Sequence, residues 1–176
     1  MFEGFESGLL QLDRLDVFYR LKGCGPAVLL LHGFPQTHAM WANIAPKLAQ
    51  HYTVVCADLR GYGASGKPKG SAQYSFREMG ADQLQLMTEL GFESFHLVGH
   101  DRGGRTAHRM ALDAPERIRS LTLGDIVPTY LLLNDLSKEV AFAYYHWFFL
   151  AQPFPFPENL ILSDPDVFFQ NSLTGW

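Results

Sequence analysis

The sequence predicts an α/β architecture: a mostly parallel sheet flanked by helices, followed by the start of a separate helical layer. Three observations carry this expectation. Short, continuous apolar runs recur along the first two thirds of the chain, helical patterns lie between them, and strand patterns stop after residue 126. Hydrophobic residues make up 47% of the 176 positions and charged residues 18%, enough to build a core and too apolar for a disordered chain.

In chain order, residues 5–22 read as two short strands with a turn near Asp13-Arg14. Ala27-Val28-Leu29-Leu30-Leu31, bounded by Pro26 and Gly33, has the unbroken apolar character of a strand buried on both faces. Thr53-Val54-Val55-Cys56-Ala57, Phe95-His96-Leu97-Val98 and Ser120-Leu121-Thr122-Leu123 read as further strands of this kind. Helical patterns over 41–50, 76–90 and 102–114 separate them, the last punctuated by Pro115. Alternation at this spacing means parallel strands joined by crossovers, and such sheets bind ligands beyond the carboxyl ends of their strands. The loops after Leu31, Ala57, Val98 and Leu123 are therefore the places to look for chemistry. Residues 127–176 hold half of the chain's aromatic residues and a proline cluster at Pro153, Pro155 and Pro157. A division into a 1–126 sheet-bearing core and a 127–176 helical layer is expected.

The formal net charge of −4 argues against nucleic acid as a partner, which usually needs a basic face. Cys24 and Cys56 lie in or beside apolar runs without metal-ligand spacing, so both are expected as buried, reduced thiols. That usage fits a reducing, cytoplasmic compartment. The N-terminus has neither the basic charge nor the apolar stretch of a secretory signal, and no run has the roughly 20 apolar residues of a membrane helix, so no membrane is expected as partner. Gly61-Tyr62-Gly63-Ala64-Ser65-Gly66 formally spells a dinucleotide fingerprint, but Pro68, Lys69 and Gly70 follow where a helix would have to begin. Neither a cofactor nor a metal is expected.

Gly99-His100-Asp101-Arg102-Gly103-Gly104 falls where a buried strand turns into a helix. Its spacing is that of a nucleophile elbow, in which small neighbours let a sharp turn push the central side chain into the cleft. Aspartate at the centre changes the chemistry. A carboxylate is charged at neutral pH without help from a base, is poor at acyl transfer, and is suited to displacement at carbon. The plain alternative is that Asp101 only caps the following helix. Arg102 and Arg105, three apart on that helix, share a face in the first turn, where the helix dipole disfavours cations. Two guanidinium groups there could grip a substrate carboxylate. Otherwise they are ordinary surface arginines. Arg109 and Asp113 read as a solvated ion pair.

His32-Gly33-Phe34-Pro35-Gln36, Asp58-Leu59-Arg60-Gly61-Tyr62-Gly63 and the Asp101 elbow together resemble the haloacetate and fluoroacetate dehalogenases of the α/β-hydrolase fold, over nearly the whole chain. The first two motifs are common to many hydrolases; the aspartate elbow narrows the choice to dehalogenases and epoxide hydrolases. The resemblance implies displacement of halide by Asp101, an ester intermediate, and hydrolysis by water that a late histidine activates. It assigns Asp125 as the acid orienting that histidine. It also assigns Phe34 and Arg102 backbone N–H groups as the oxyanion hole, His32 as a loop-shaping residue, and Arg102 and Arg105 as carboxylate ligands. Tyr144-Tyr145-His146-Trp147-Phe148-Phe149 resembles the cap segment in which His146 and Trp147 receive the departing halide; Trp176 is a further candidate for that cavity. The implied partner is a small haloacid, and the family can form homodimers.

No histidine follows His146, so the resemblance implies a C-terminally truncated piece of a longer enzyme. Such a piece is expected to be alkylated at most once at Asp101 and not to turn over. Two rivals remain: an epoxide hydrolase using the same aspartate, with Tyr144 or Tyr145 protonating the epoxide oxygen, and an inactive, ligand-binding fragment.

Overall fold

The structure, a computed structural model, describes residues 1–174; Trp176 lies outside them. The chain divides into two compact units, Met1–Ile126 and residues 127 onward.

The first unit is built on six strands: β1 (Glu6–Gln11), β2 (Asp16–Lys22), β3 (Ala27–Leu31), β4 (Thr53–Ala57), β5 (Phe95–His100) and β6 (Ile118–Gly124). Their order is β1-β2-β4-β3-β5-β6. The β1–β2 hairpin and the β2–β4 pair are antiparallel, and β4, β3, β5 and β6 run parallel. The helices of this unit are α1 (Ala45–Leu48), α2 (Phe76–Glu89) and α3 (Arg102–Asp113).

Both central strands, β3 and β4, are buried at every position. Their alternate residues feed two cores. On one face Leu29, Leu31, Val55, Ala57 and Leu97 pack with Met79, Leu86 and Met87 of α2 and Ala107 and Met110 of α3. On the other, Val28, Leu30, Val54 and Cys56 pack with Phe2, Phe5, Trp41 and Ala45. Each fully buried Leu contributes about 1.5–3 kcal/mol relative to exposure, so this pair of strands anchors the loops at their carboxyl ends.

Three expectations are corrected. The helix expected over 41–50 is a 3-10 turn, His38–Trp41, capped by Thr37, then the single-turn α1. Pro46 is accepted there only because it stands in the first turn, where its missing N–H has no partner to lose. Neither β5 nor β6 is fully buried on both faces: β5 alternates buried and half-buried positions, and residues 118–124 are exposed or half-buried, because β6 ends the sheet among the described residues. Cys24 is exposed, in the turn between β2 and β3 where Gly23 and Gly25 take positive φ, whereas Cys56 is buried.

The second unit is helical throughout its regular elements: α4 (Thr129–Asn134), α5 (Lys138–Ala143), α6 (Tyr145–Leu150), α7 (Phe156–Ser163) and α8 (Pro165–Thr174). Ser137 caps α5 by accepting the Val140 N–H. Phe142, Phe154 and Phe156 are exposed. Among the described residues no helix is long and apolar enough to cross a membrane, and no group of three His, Cys, Asp or Glu is placed to hold a metal.

Candidate active site

The β5–α3 connection turns on Asp101, whose φ of 48° and ψ of −116° are a conformation L residues rarely adopt. Such backbone costs about 1–3 kcal/mol and persists only where the surroundings enforce it. Here they do. A Cβ on Gly103 would overlap the carbonyl oxygens of Leu31 and His32, and one on Gly99 would overlap Gly103 itself. β3, β5 and α3 therefore meet with no space for side chains at these two glycines, and the bend is left to Asp101.

The Asp101 side chain does not cap α3. Its Oδ1 instead accepts the Phe34 backbone N–H at 2.8 Å, across the mouth of β3. That approach needs a bare Gly33, since a Cβ there would meet the Asp101 side chain. Capping alone therefore does not account for Asp101.

The Phe34 loop is held from beneath by two buried groups. His32 contacts the Gly33 carbonyl through Nδ1 at 2.9 Å and accepts the Leu59 N–H at Nε2 at 3.0 Å. Both bonds are satisfied by a neutral ring with its proton on Nδ1. Burial pushes the His32 pKa down. The ring thus shapes the loop, as its position in the motif suggests. Asp58, fully buried, binds both the His38 N–H and His38 Nδ1 at 2.8 Å through Oδ1, and the Ala64 N–H at 3.0 Å through Oδ2. Burial pushes the Asp58 carboxyl up, but these hydrogen bonds outweigh it and hold its pKa below the ordinary value. This clamp between the loops after β3 and β4 was not foreseen, although Asp58 stands in a motif the sequence displays. Nor was the neighbouring buried pair, in which Arg60 holds Asp82 of α2 through two bonds of 2.6 and 2.5 Å and the Gln73 carbonyl through a third of 2.6 Å. The Asp82 carboxylate raises the Arg60 pKa, while burial pushes the Asp82 carboxyl up and its hydrogen bonds to Arg60 pull it back down.

Arg102 and Arg105 are not surface arginines. Arg105 is buried and Arg102 half-buried. The Arg102 guanidinium lies over the Phe76 ring, 5.4 Å from its centroid, and Nη2 reaches the Tyr74 carbonyl at 3.4 Å. Its Nε is buried without a hydrogen-bond partner among the described residues. Tyr62 stands in the field of the same groups: burial pushes its phenol up, the Arg102 charge pulls it down, and Asp101 pushes it up again. Phe76 and Tyr74 escaped the sequence reading, since nothing local marks an aromatic at a helix start as an arginine's support.

Asp125 follows β6 with φ of 51°, its side chain 94% exposed and 3.9 Å from His100 Nε2. It sits beside the elbow, where the Asp101 N–H meets the Gly124 carbonyl at 3.3 Å. In the second unit, His146 and Trp147 are adjacent and half-buried in α6, and both pack against Tyr144, with ring centroids 6.1 and 5.4 Å away. Arg109 and Asp113 form the expected ion pair, which Arg77 joins.

Known proteins are similar to this chain over most of its length. The chain is 58% identical to a fluoroacetate dehalogenase of Burkholderia sp, over 100% of its own length and 59% of that protein's. It is 33% identical to a soluble epoxide hydrolase of Corynebacterium sp. (strain C12), over 89% of this chain and 54% of that one. A solved structure from Nostoc sp PCC 7120, assigned to the α/β hydrolases, superposes with a TM-score of 0.98 at 47% identity, covering 100% of this chain and 62% of the other. The chain thus spans less than two thirds of the length of each. Residues 26–176 match the alpha/beta hydrolase fold family, and with the sheet order and the elbow already described, the chain belongs to that family.

Proposed function

We propose that this chain carries the nucleophile and substrate-binding part of a hydrolytic dehalogenase of short 2-haloacids, converting haloacetate and water to glycolate and halide. The observation that carries the reading is the Asp101 carboxylate, thrust from a strained bend and held through Oδ1 by the Phe34 N–H at 2.8 Å. Oδ2 then attacks the substrate α-carbon. The new O–C bond forms as the carbon–halogen bond breaks, and halide leaves with the electron pair. Arg102 and Arg105 hold the substrate carboxylate so that the α-carbon faces Asp101.

In the second step water adds to the Asp101 carboxyl carbon, and charge gathers on Oδ1. The N–H of Phe34 already lies on that oxygen, and the N–H of Arg102 is assigned beside it. A histidine not among those of this chain activates the water, with Asp125 orienting it. His146 and Trp147, in the helical second unit, are assigned as N–H donors to the departing halide. The 58% identity to a fluoroacetate dehalogenase supports the substrate class.

Halide release tests the reading. Incubated with bromoacetate, the 176-residue chain carrying Cys24→Ser, which removes the exposed thiol, should release one equivalent of bromide per folded molecule, and adding Asp101→Asn should lower that to the uncatalysed background. Equal release by both proteins would overturn it.

The epoxide hydrolase relative favours a second reading, in which Asp101 opens an epoxide and Tyr144 or Tyr145 protonates its oxygen. Consumption of styrene oxide without halide release from bromoacetate would decide for it.

A further inference from the structure

We propose that Phe76 is a positioning residue that aims Arg102 at the substrate carboxylate, and that it thereby sets the preference for charged over neutral halides. The inference rests on the reading of Arg102 as a carboxylate ligand and adds what holds that arginine in place.

Three observations converge on it. The guanidinium carbon of Arg102 lies 5.4 Å from the centroid of the half-buried Phe76 ring, within range for a cation over an aromatic face. The Tyr74 carbonyl, at the end of the 3-10 turn Ser71–Tyr74, takes one edge of the guanidinium through Nη2. The remaining buried donor, Nε, has no partner among the described residues. A buried N–H left unmade is costly, and it marks where an acceptor is due. The aromatic ring and the carbonyl thus hold two sides of the fork, and the unmatched Nε–H, shielded from water, is the donor that an entering carboxylate oxygen would satisfy. Phe76 is itself anchored as the first residue of α2, whose Ser75 cap accepts the Glu78 N–H and whose apolar side packs into the core. Without the ring, the guanidinium would keep its charge but lose its fixed direction, which matters for a planar receptor more than for a point charge.

The consequence is selective. Alkylation of Asp101 by bromoacetate, which carries the carboxylate, depends on Arg102 being aimed. Alkylation by bromoacetamide, which lacks the charge, does not.

The test combines two readouts on the full 176-residue chain. First, the arginine Nε–H signals are followed by nitrogen-15 NMR during an acetate titration, with Arg102→Lys assigning the Arg102 signal. Wild type and Phe76→Trp should show the Arg102 Nε–H moving with acetate, and Phe76→Leu should need roughly fivefold more acetate for half the shift. Second, the ratio of bromoacetate to bromoacetamide alkylation at Asp101 should fall by a similar factor, roughly fivefold, in Phe76→Leu and be retained in Phe76→Trp. An unchanged acetate response in Phe76→Leu, or an equal loss with both reagents, would overturn the proposal, the second outcome marking Phe76 as packing only. A wild-type Arg102 signal indifferent to acetate would overturn it too, and would remove Arg102 from substrate binding, while bromide release by Asp101 would still be judged separately.

Discussion

His32 contacts the Gly33 carbonyl through Nδ1 and accepts the Leu59 N–H at Nε2, so a second proton would place a donor against a donor. Its pKa is accordingly below the ordinary 6.5, with burial the largest cause. In the unfolded chain the ring takes up a proton as pH falls through 6.5, whereas in the fold it does so only at lower pH. The stability contributed by neutral His32 is therefore fully present above 6.5 and is lost as pH drops toward the folded value. Urea unfolding between pH 8 and pH 5 should show stability falling on the acid side, and His32→Asn should flatten that slope. Equal slopes would contradict the assignment. Asp58 works in a lower window. Its depressed pKa means its contribution is lost only as pH falls below the ordinary carboxylate range, when the His38 and Ala64 bonds lose their acceptor. Both residues act on the loop that presents the Phe34 N–H, which is why a buried histidine and a buried aspartate belong to the candidate site.

The elbow joins three elements with no spare volume. Adding one methyl at Gly103 would drive it into the Leu31 and His32 carbonyls, so Gly103→Ala should destabilise the first unit by about 1–3 kcal/mol, read as a lower urea midpoint. An unchanged midpoint would mean that α3 can move away from β3. This bend was legible in the sequence because its requirements are local: a strand, a glycine on either side, and a helix. The buried strands β3 and β4 were legible for a similar reason, since an unbroken apolar run has few other uses. Elsewhere local pattern misleads. Ser120-Leu121-Thr122-Leu123 has strand character, but burial depends on what lies beside β6, which the strand's own residues do not encode. The helical pattern over 41–50 yielded to Thr37 capping a 3-10 turn and to Pro46 opening a new one. The support of Arg102 by Phe76 spans 26 positions and links two helix starts, so only the fold reveals it.

At the scale of the molecule, the two cysteines report on different states. Cys24, exposed between two positive-φ glycines, should react at once with a thiol reagent. Burial pushes the Cys56 thiol up to about 12, and its side chain lies in the core between β3 and β4 on one side and Trp41 and Ala45 on the other. It should react only when the first unit unfolds. Native protein should thus show one fast thiol and one that appears with the loss of far-ultraviolet circular dichroism; two fast thiols would contradict the packing described.

The proposed chemistry depends on a single Asp101 oxygen becoming bonded to carbon. After exposure to bromoacetate, the peptide containing residues 99–105 should carry one carboxymethyl group, fragmentation should place it on Asp101, and Asp101→Asn should carry none. A modification found on a cysteine, on a histidine, or nowhere, with Asp101 intact, would contradict the account.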